Sequence, residues 1–322
     1  MKRIDEKLAG AGSVGIAGHV RPDGDCVGSA LALYNYIREY YPGLDARLYL
    51  EPIPNIFKFL KRSEEIRTPQ ESSSKEPAAF DLFFALDCGD AARLGAAAQY
   101  FLGAKATVCI DHHVSNQSFA DDNYIDPDAS STSELVFGLL DQERITKEIA
   151  ECLYTGIVHD TGVFQYSCTS AKTMNIAGQL MEKGIDYSKI VDETFYTKTY
   201  NQNRILGQAL IDSTLHLGGR CIVSAVSRRQ MEQFDVLPKH LDGIVNQLRV
   251  TKDVEVALFL YENEDGSWKG SLRVNGDFDA AKTAMAFGGG GHVKAAGFTI
   301  EGSLADCKER VLAEIGRRLQ EE

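Results

Sequence analysis

The 322-residue sequence contains no C-x-x-C pair, and its seven cysteines stand apart at positions 26, 88, 109, 152, 168, 221 and 307. That scatter argues against a disulfide scaffold and leaves the cysteines as small buried residues of a reducing compartment. Positive charge is also scarce. The formal net charge is −12 and the isoelectric point about 5.1, which argues against binding to long duplex nucleic acid, since such binding depends on neutralising phosphates. A small anionic substrate stays compatible, provided local cations hold it. No stretch reaches the length of a membrane-spanning helix, and Met1-Lys2-Arg3-Ile4-Asp5-Glu6 lacks the apolar core of a signal peptide. The expectation is a cytoplasmic protein with no membrane partner, long enough for two domains.

Short apolar strands alternate with helical patterns through the first half of the chain. Val14–Gly18, Arg47–Leu50, Phe80–Leu86 and Ala106–Ile110 read as strands, and Ala30, Leu33, Tyr34 and Ile37 share one helix face, so the sheet should be parallel. Ser72–Pro77 is polar and turn-rich and reads as a surface loop. A later helix places Ile149, Cys152, Leu153, Gly156 and Ile157 on one face, so that Asp160 emerges at its carboxyl end. Ser188–Ser213 reads as a helical connector. Beyond it, Cys221–Val226, a helix near Leu241–Leu248, and strands Glu255–Tyr261 and Trp268–Val274 around an Asp265-Gly266 turn predict a smaller α+β domain.

Acidic motifs follow the apolar stretches. They are His19-Val20-Arg21-Pro22-Asp23-Gly24-Asp25, Leu86-Asp87-Cys88-Gly89-Asp90, Asp111-His112-His113 and Val158-His159-Asp160-Thr161-Gly162. Residues at strand ends collect at the carboxyl edge of an open α/β sheet, where such folds place their active sites. His19, Asp23, Asp25, Asp87, His112 and Asp160 supply four carboxylates and two imidazoles, a mixed oxygen-rich set suited to Mn²⁺ or Mg²⁺. Two divalent cations would cancel the charge of the four aspartates, and Asp23-Gly24-Asp25 reads as a glycine turn that lets its carboxylates diverge toward two ions. In two-metal hydrolases the ions sit roughly 3.5–4 Å apart and share a water or hydroxide that attacks phosphorus.

At these residues the sequence resembles the DHH phosphoesterase superfamily, named for the tripeptide seen here as Asp111-His112-His113. The resemblance implies that His19, Asp23 and Asp87 hold one metal, that Asp25, Asp87, His112 and Asp160 hold the other, and that Asp87 bridges them. It also implies that Asp111 supports the ligand shell and His113 faces the substrate phosphate, where an imidazole can stabilise charge developing on phosphoryl oxygens. Arg93 is a candidate phosphate anchor, equally readable as a solvated helix charge. His159 reads as orienting or packing.

Gly288-Gly289-Gly290-Gly291-His292, followed by Ala295-Ala296-Gly297, lies between a helix and a strand; consecutive glycines let backbone approach a ligand, and their amides can form an anion nest. With Ser271-Leu272-Arg273 the segment resembles the DHH-associated domain, which implies that Arg273, Gly289, Gly290, Gly291 and His292 hold a nucleotide. The implied organisation is α/β: a parallel-sheet catalytic domain over residues 1–188, a connector over 189–213 and a smaller α+β nucleotide-binding domain over 214–322. Within the superfamily the chain is similar to the nanoRNase and pAp phosphatase branch. The implied activity is hydrolysis of short RNA oligonucleotides to mononucleotides by a two-metal-activated hydroxide, with pAp dephosphorylation beside it. A cyclic or linear dinucleotide phosphodiesterase would use the same residues, and an inactive nucleotide sensor would have lost ligands that are all present here. Oligomeric state stays open, with a homodimer among the alternatives.

Overall fold

Residues 4–69 and 79–321 are described by the structure, a computed structural model; the surface loop read at Ser72–Pro77 lies outside the described residues. The chain divides into two units, Met1–Thr197 and Lys198–Glu322. In the first, strands β1 (Ser13–Ala17), β2 (Asp45–Tyr49), β3 (Leu82–Leu86), β4 (Thr107–Asp111) and β5 (Asp122–Ile125) form a wholly parallel sheet in the order β2-β1-β3-β4-β5. Its helices, in chain order, are α1 (Ile4–Leu8), α2 (Gly24–Tyr40), α3 (Ala98–Leu102), α4 (Thr132–Leu139), α5 (Lys147–Asp160), α6 (Ala171–Glu182) and α7 (Tyr187–Val191).

Strand β3 shows why the sheet is covered on both faces. All five of its residues are buried, with Leu82, Phe84 and Leu86 packing into the core that holds α2 and α5, and Phe83 and Ala85 into the core beside α3. A strand buried on both sides reads as an unbroken apolar run, and that is how Phe80–Leu86 reads. Strand β5 is absent from the sequence expectation; Asp122-Asn123-Tyr124-Ile125 is half-buried throughout, as suits the edge of the sheet. The chain lays β2 on one side of β1 and β3 on the other, so the strand order reverses between β1 and β3. In open α/β sheets the carboxyl ends at such a reversal are where ligands bind.

Helix α2 lies in the middle of this unit and is buried from Gly24 to Ile37. Its partner α5 runs against it antiparallel, with His159 near Gly24 and Cys152 and Gly156 near Gly28. The two backbones nearly touch: a Cβ on Gly28 would stand 2.5 Å from the Cys152 carbonyl oxygen and 2.8 Å from the Gly156 nitrogen. This crossing sets the amino end of α2 and the carboxyl end of α5 side by side at the sheet edge.

The second unit carries a six-stranded sheet of β6 (Thr214–His216), β7 (Cys221–Val226), β8 (Val256–Glu262), β9 (Trp268–Val274), β10 (Gly290–His292) and β11 (Ala295–Ile300), in the order β10-β11-β9-β8-β7-β6. Only β7 and β8 pair in parallel. One face packs on α8 (Tyr200–Ile211), α9 (Arg228–Gln233) and α10 (Ile244–Arg249), the other on α11 (Ala280–Met285) and α12 (Leu304–Glu321). The Asp265-Gly266 turn joins β8 to β9 as a hairpin, with Gly266 at φ 82°. The expected connector divides: residues 189–197 belong to the first unit, whereas α8 buries Ile205 and Ala209 in the core of the second. The helix itself agrees with the helical reading of this segment; what differs is that it packs into the second unit instead of only linking the two.

Gly28→Ala forces the α2–α5 backbones apart and should cost about 1–3 kcal/mol, the usual range for overpacking. Urea denaturation of the variant measures this, and an unchanged midpoint would show that the crossing has slack.

Candidate metal centre

His19 leaves β1 with its Nδ1 donating to the Val20 carbonyl at 2.9 Å, which turns Nε2 toward the carboxylates. Nε2 lies 3.5 Å from both Asp23 Oδ2 and Asp87 Oδ2. Asp23 has a second task as the cap of α2, its Oδ1 accepting from the backbone N–H groups of Asp25 and Cys26. Asp87 follows β3 in the left-handed region, φ 58°, a conformation that aspartate and asparagine tolerate better than most residues. Its backbone N–H donates to the Ile110 carbonyl at 3.0 Å, so the turn is tied to β4.

His112 completes the chain of contacts. Its Nε2 lies 3.0 Å from Asp160 Oδ2 and 3.6 Å from Asp87 Oδ1, and donor atoms of Asp25, His112 and Asp160 fall within 4.8 Å of one another. All six residues proposed from sequence as ligands are thereby brought to one edge of the sheet. Asp25 is fully buried, and its carboxylate accepts from the first two N–H groups of α4, Thr132 at 2.7 Å and Ser133 at 2.9 Å.

Burial, reinforced by the charges of Asp87 and Asp160, pushes the Asp25 carboxyl well above the usual carboxylate range. Burial raises Asp160 too, against the opposing pull of His112. For His19 and His112 burial works downward, yet the neighbouring carboxylates win and each is pushed up to about 10. Protons thus supply the positive charge that this donor set calls for, a charge that divalent cations would supply in their place. Oxygens outnumber nitrogens in this donor set, and Cys26 Sγ lies beside His19 and Asp87, where burial raises its thiol well above its ordinary pKa. The residues present fit Mn²⁺ or Mg²⁺.

Around this centre, His113 Nδ1 lies 2.7 Å from Asp111 Oδ1, and that bond raises the imidazole. Burial works to raise Asp111, but hydrogen bonds from His113 and Asn116 overcome it and hold the carboxyl below its usual range. Asn116 donates to Asp111 Oδ2 at 2.7 Å and to the Cys88 carbonyl at 2.9 Å, bracing the turn after Asp87. Arg93 sits in the short helical run Ala91–Ala97, where its carbonyl accepts from Val20 and its positive charge reaches Cys88. His159 does pack: burial pushes it down to about 4, its Nε2 lies 2.9 Å from Thr194 Oγ1, and its ring lies edge-on to Phe57 and Phe195. Gly24 is no turn glycine, contrary to the sequence expectation. It opens α2, and a Cβ there would lie 2.3 Å from the His159 ring.

The proposed nucleotide-holding residues belong to the second unit. Pairing places His292, Ala295 and Arg273 in one row across β10, β11 and β9. The glycine run is half strand, where a loop was expected, and sheet packing accounts for two of its glycines: a Cβ at Gly289 would lie 2.2 Å from the Gly297 carbonyl oxygen, and one at Gly291 2.5 Å from that of Ala295. Sequence reasoning missed Thr132, Ser133 and Asn116. A signal for the first two exists in Ser131-x-x-Glu134 ahead of Leu135-Val136-Phe137, a helix-start pattern whose cap is realised by Ser131.

Fold and site together define a class: a two-unit α/β protein whose first unit gathers carboxylates and imidazoles suited to divalent cations. Residues 13–157 match the DHH family, N-terminal domain, and residues 218–321 match the DHHA1 domain. The chain belongs to the DHH family. It is 32% identical to the bifunctional oligoribonuclease and PAP phosphatase NrnA of Thermus thermophilus, over 99% of this chain and 94% of that protein. The protein of the same name from Bacillus subtilis is 28% identical over 92% of this chain and 91% of its own length. Among solved structures, an exopolyphosphatase-related protein from Bacteroides fragilis superposes with a TM-score of 0.89 at 28% identity, covering 98% of this chain and 94% of that one. Among the described residues no helix is long and apolar enough to cross a membrane.

Asp87→Asn keeps a residue type that tolerates the left-handed backbone, so the metal-free variant should melt close to the parent while its Mn²⁺ affinity falls. Thermal unfolding paired with calorimetric Mn²⁺ titration measures both, and undiminished affinity would remove Asp87 from the ligand set.

Proposed function

We propose that this chain is a metal-dependent phosphoesterase that hydrolyses short RNA oligonucleotides to mononucleotides and also converts pAp to AMP. The reading is carried by the cluster of carboxylates and imidazoles at the carboxyl edge of the parallel sheet, His19, Asp25 and Asp87 among them buried, in a chain matched over nearly its whole length by bifunctional oligoribonucleases and PAP phosphatases. His19 and Asp23 would hold one cation and Asp25, His112 and Asp160 the other, with Asp87, whose two oxygens face different histidines, available to both. When bound, the cations lower the pKa of the attacking water and neutralise charge on the phosphoryl oxygens. Mn²⁺ is the preferred ion, since mixed imidazole and carboxylate ligation suits it.

The protein's own groups do the rest. Asp111, fixed by Asn116, orients the His113 imidazole as a donor to a phosphoryl oxygen. Arg93 anchors a further phosphate oxygen from the short helical run beyond Asp87. In the second unit Arg273 and His292 flank Ala295, whose small side chain, with the bare backbone of Gly297 and Gly290 in the next row, leaves a shallow floor for a nucleotide. Arg273 supplies the charge-assisted contact to that nucleotide and the Gly289–Gly291 segment the close backbone approach.

Incubating the protein and Mn²⁺ with a diribonucleotide, pAp, cyclic di-AMP and pyrophosphate tests the assignment. Turnover of the first two is expected; a protein that cleaved only cyclic di-AMP, or only pyrophosphate, would be something else. Arg273→Ala should lose a contact contributing roughly 1.5–3 kcal/mol, about ten- to a hundredfold in catalytic efficiency on the diribonucleotide. Hydrolysis of bis-p-nitrophenyl phosphate, which lacks a nucleoside to grip, should fall far less; parallel losses would point to general damage instead.

A further inference from the structure

Thr132, the first residue of α4, touches both halves of the candidate metal centre through two different groups. Its backbone N–H donates to Asp25 Oδ2 at 2.7 Å, and its side-chain hydroxyl donates to Asp87 Oδ1 at 3.1 Å. Asp25 and Thr132 are fully buried and Asp87 is nearly so. The two acceptors lie 107 and 45 positions away along the chain, so the contact exists only because α4 begins at this point of the sheet edge. Its beginning is fixed by Ser131, which caps the helix by accepting from the Glu134 N–H at 3.1 Å and leaves the Thr132 and Ser133 N–H groups for Asp25.

The hydroxyl matters because a carboxylate is nearly free to turn about its last bond; that torsion has broad, roughly two-fold preferences. Asp87 Oδ2 faces His19 at 3.5 Å, while Oδ1 faces His112 at 3.6 Å. The Thr132 hydroxyl holds Oδ1 on the His112 side and thereby also settles where Oδ2 points. We propose that Thr132 is a positioning residue of the metal centre, locking Asp25 and Asp87 into one frame so that the shared carboxylate presents one oxygen to each ion. The proposal rests on the reading of these aspartates and histidines as metal ligands. Outer-shell partners of this kind typically alter metal affinity about ten- to a hundredfold.

The test uses the full chain, stripped with a chelator and titrated calorimetrically with Mn²⁺, with urea denaturation of each metal-free sample. Thr132→Val removes the hydroxyl at similar size and keeps the N–H to Asp25; Thr132→Ser keeps both donors. Mn²⁺ affinity should fall about ten- to a hundredfold in the Val variant and recover in the Ser variant. If the Val variant fails to fold, Thr132→Ala lacks the same hydroxyl without introducing a branched carbon and carries the same expectation. Parental affinity in the hydroxyl-free variant, or a Ser variant no better than Val, would overturn the proposal and leave Thr132 as a satisfied core hydroxyl. A parent chain that binds no Mn²⁺ at all would sink the metal reading itself, an outcome visible before any variant is compared.

Discussion

Mutual repulsion among Asp25, Asp87 and Asp160 is the constraint on which the first unit depends. Burial and like charge act together on Asp25, and nothing in the ordinary hydrophobic logic of an α/β sheet would place three carboxylates there. The fold tolerates them by bringing compensating groups from separate elements: imidazoles from the ends of β1 and β4, backbone N–H groups from α4, and an amide side chain after β4 that steadies Asp111. Each is short-ranged. The backbone must therefore be delivered accurately, and the near-contact of α2 and α5 at Gly28 and Gly156 gives the two acid-bearing helix ends little freedom to drift.

The same economy appears in residues that serve two purposes. Asp23 caps α2 with one oxygen and turns the other toward His19. Asp87 spends a left-handed backbone to reach the sheet edge, a conformation that costs free energy and persists where surrounding structure enforces it. In the second unit, Gly289 and Gly291 satisfy sheet packing first, so a glycine run that resembles a ligand loop is also an answer to crowding against β11.

Much of this was legible in the chain itself, and the reasons differ by element. Strands β3 and β4 announce themselves because both faces are buried and the apolar run is unbroken, and the acids just beyond them are conspicuous for standing where apolar character stops. Strand β5 is hidden because an edge strand needs no such run. Helix α8 lies within the segment expected to be helical, but that Ile205 and Ala209 carry it into a core depends on which sheet it packs on. For Thr132 the sequence signals only a helix start at Ser131, and for Asn116 nothing; what makes both site residues is contact with acids brought near by the fold. Gly24 was misread for a related reason: its requirement comes from the ring of His159, which only the α2–α5 crossing brings close.

Asp160 sits in the final turn of α5, and final turns of helices ordinarily fray. Here that turn is pinned. The His159 ring is wedged between Phe57 and Phe195 and bonded to Thr194, while the Thr161 hydroxyl donates back to the Ile157 carbonyl at 2.6 Å and the Val163 N–H to the Val158 carbonyl at 2.8 Å. The carboxylate is thus carried by a clamped terminus, held by an aromatic seam one residue away. The constraint at this point of the chain comes from packing, at a place where helix geometry alone would not provide it.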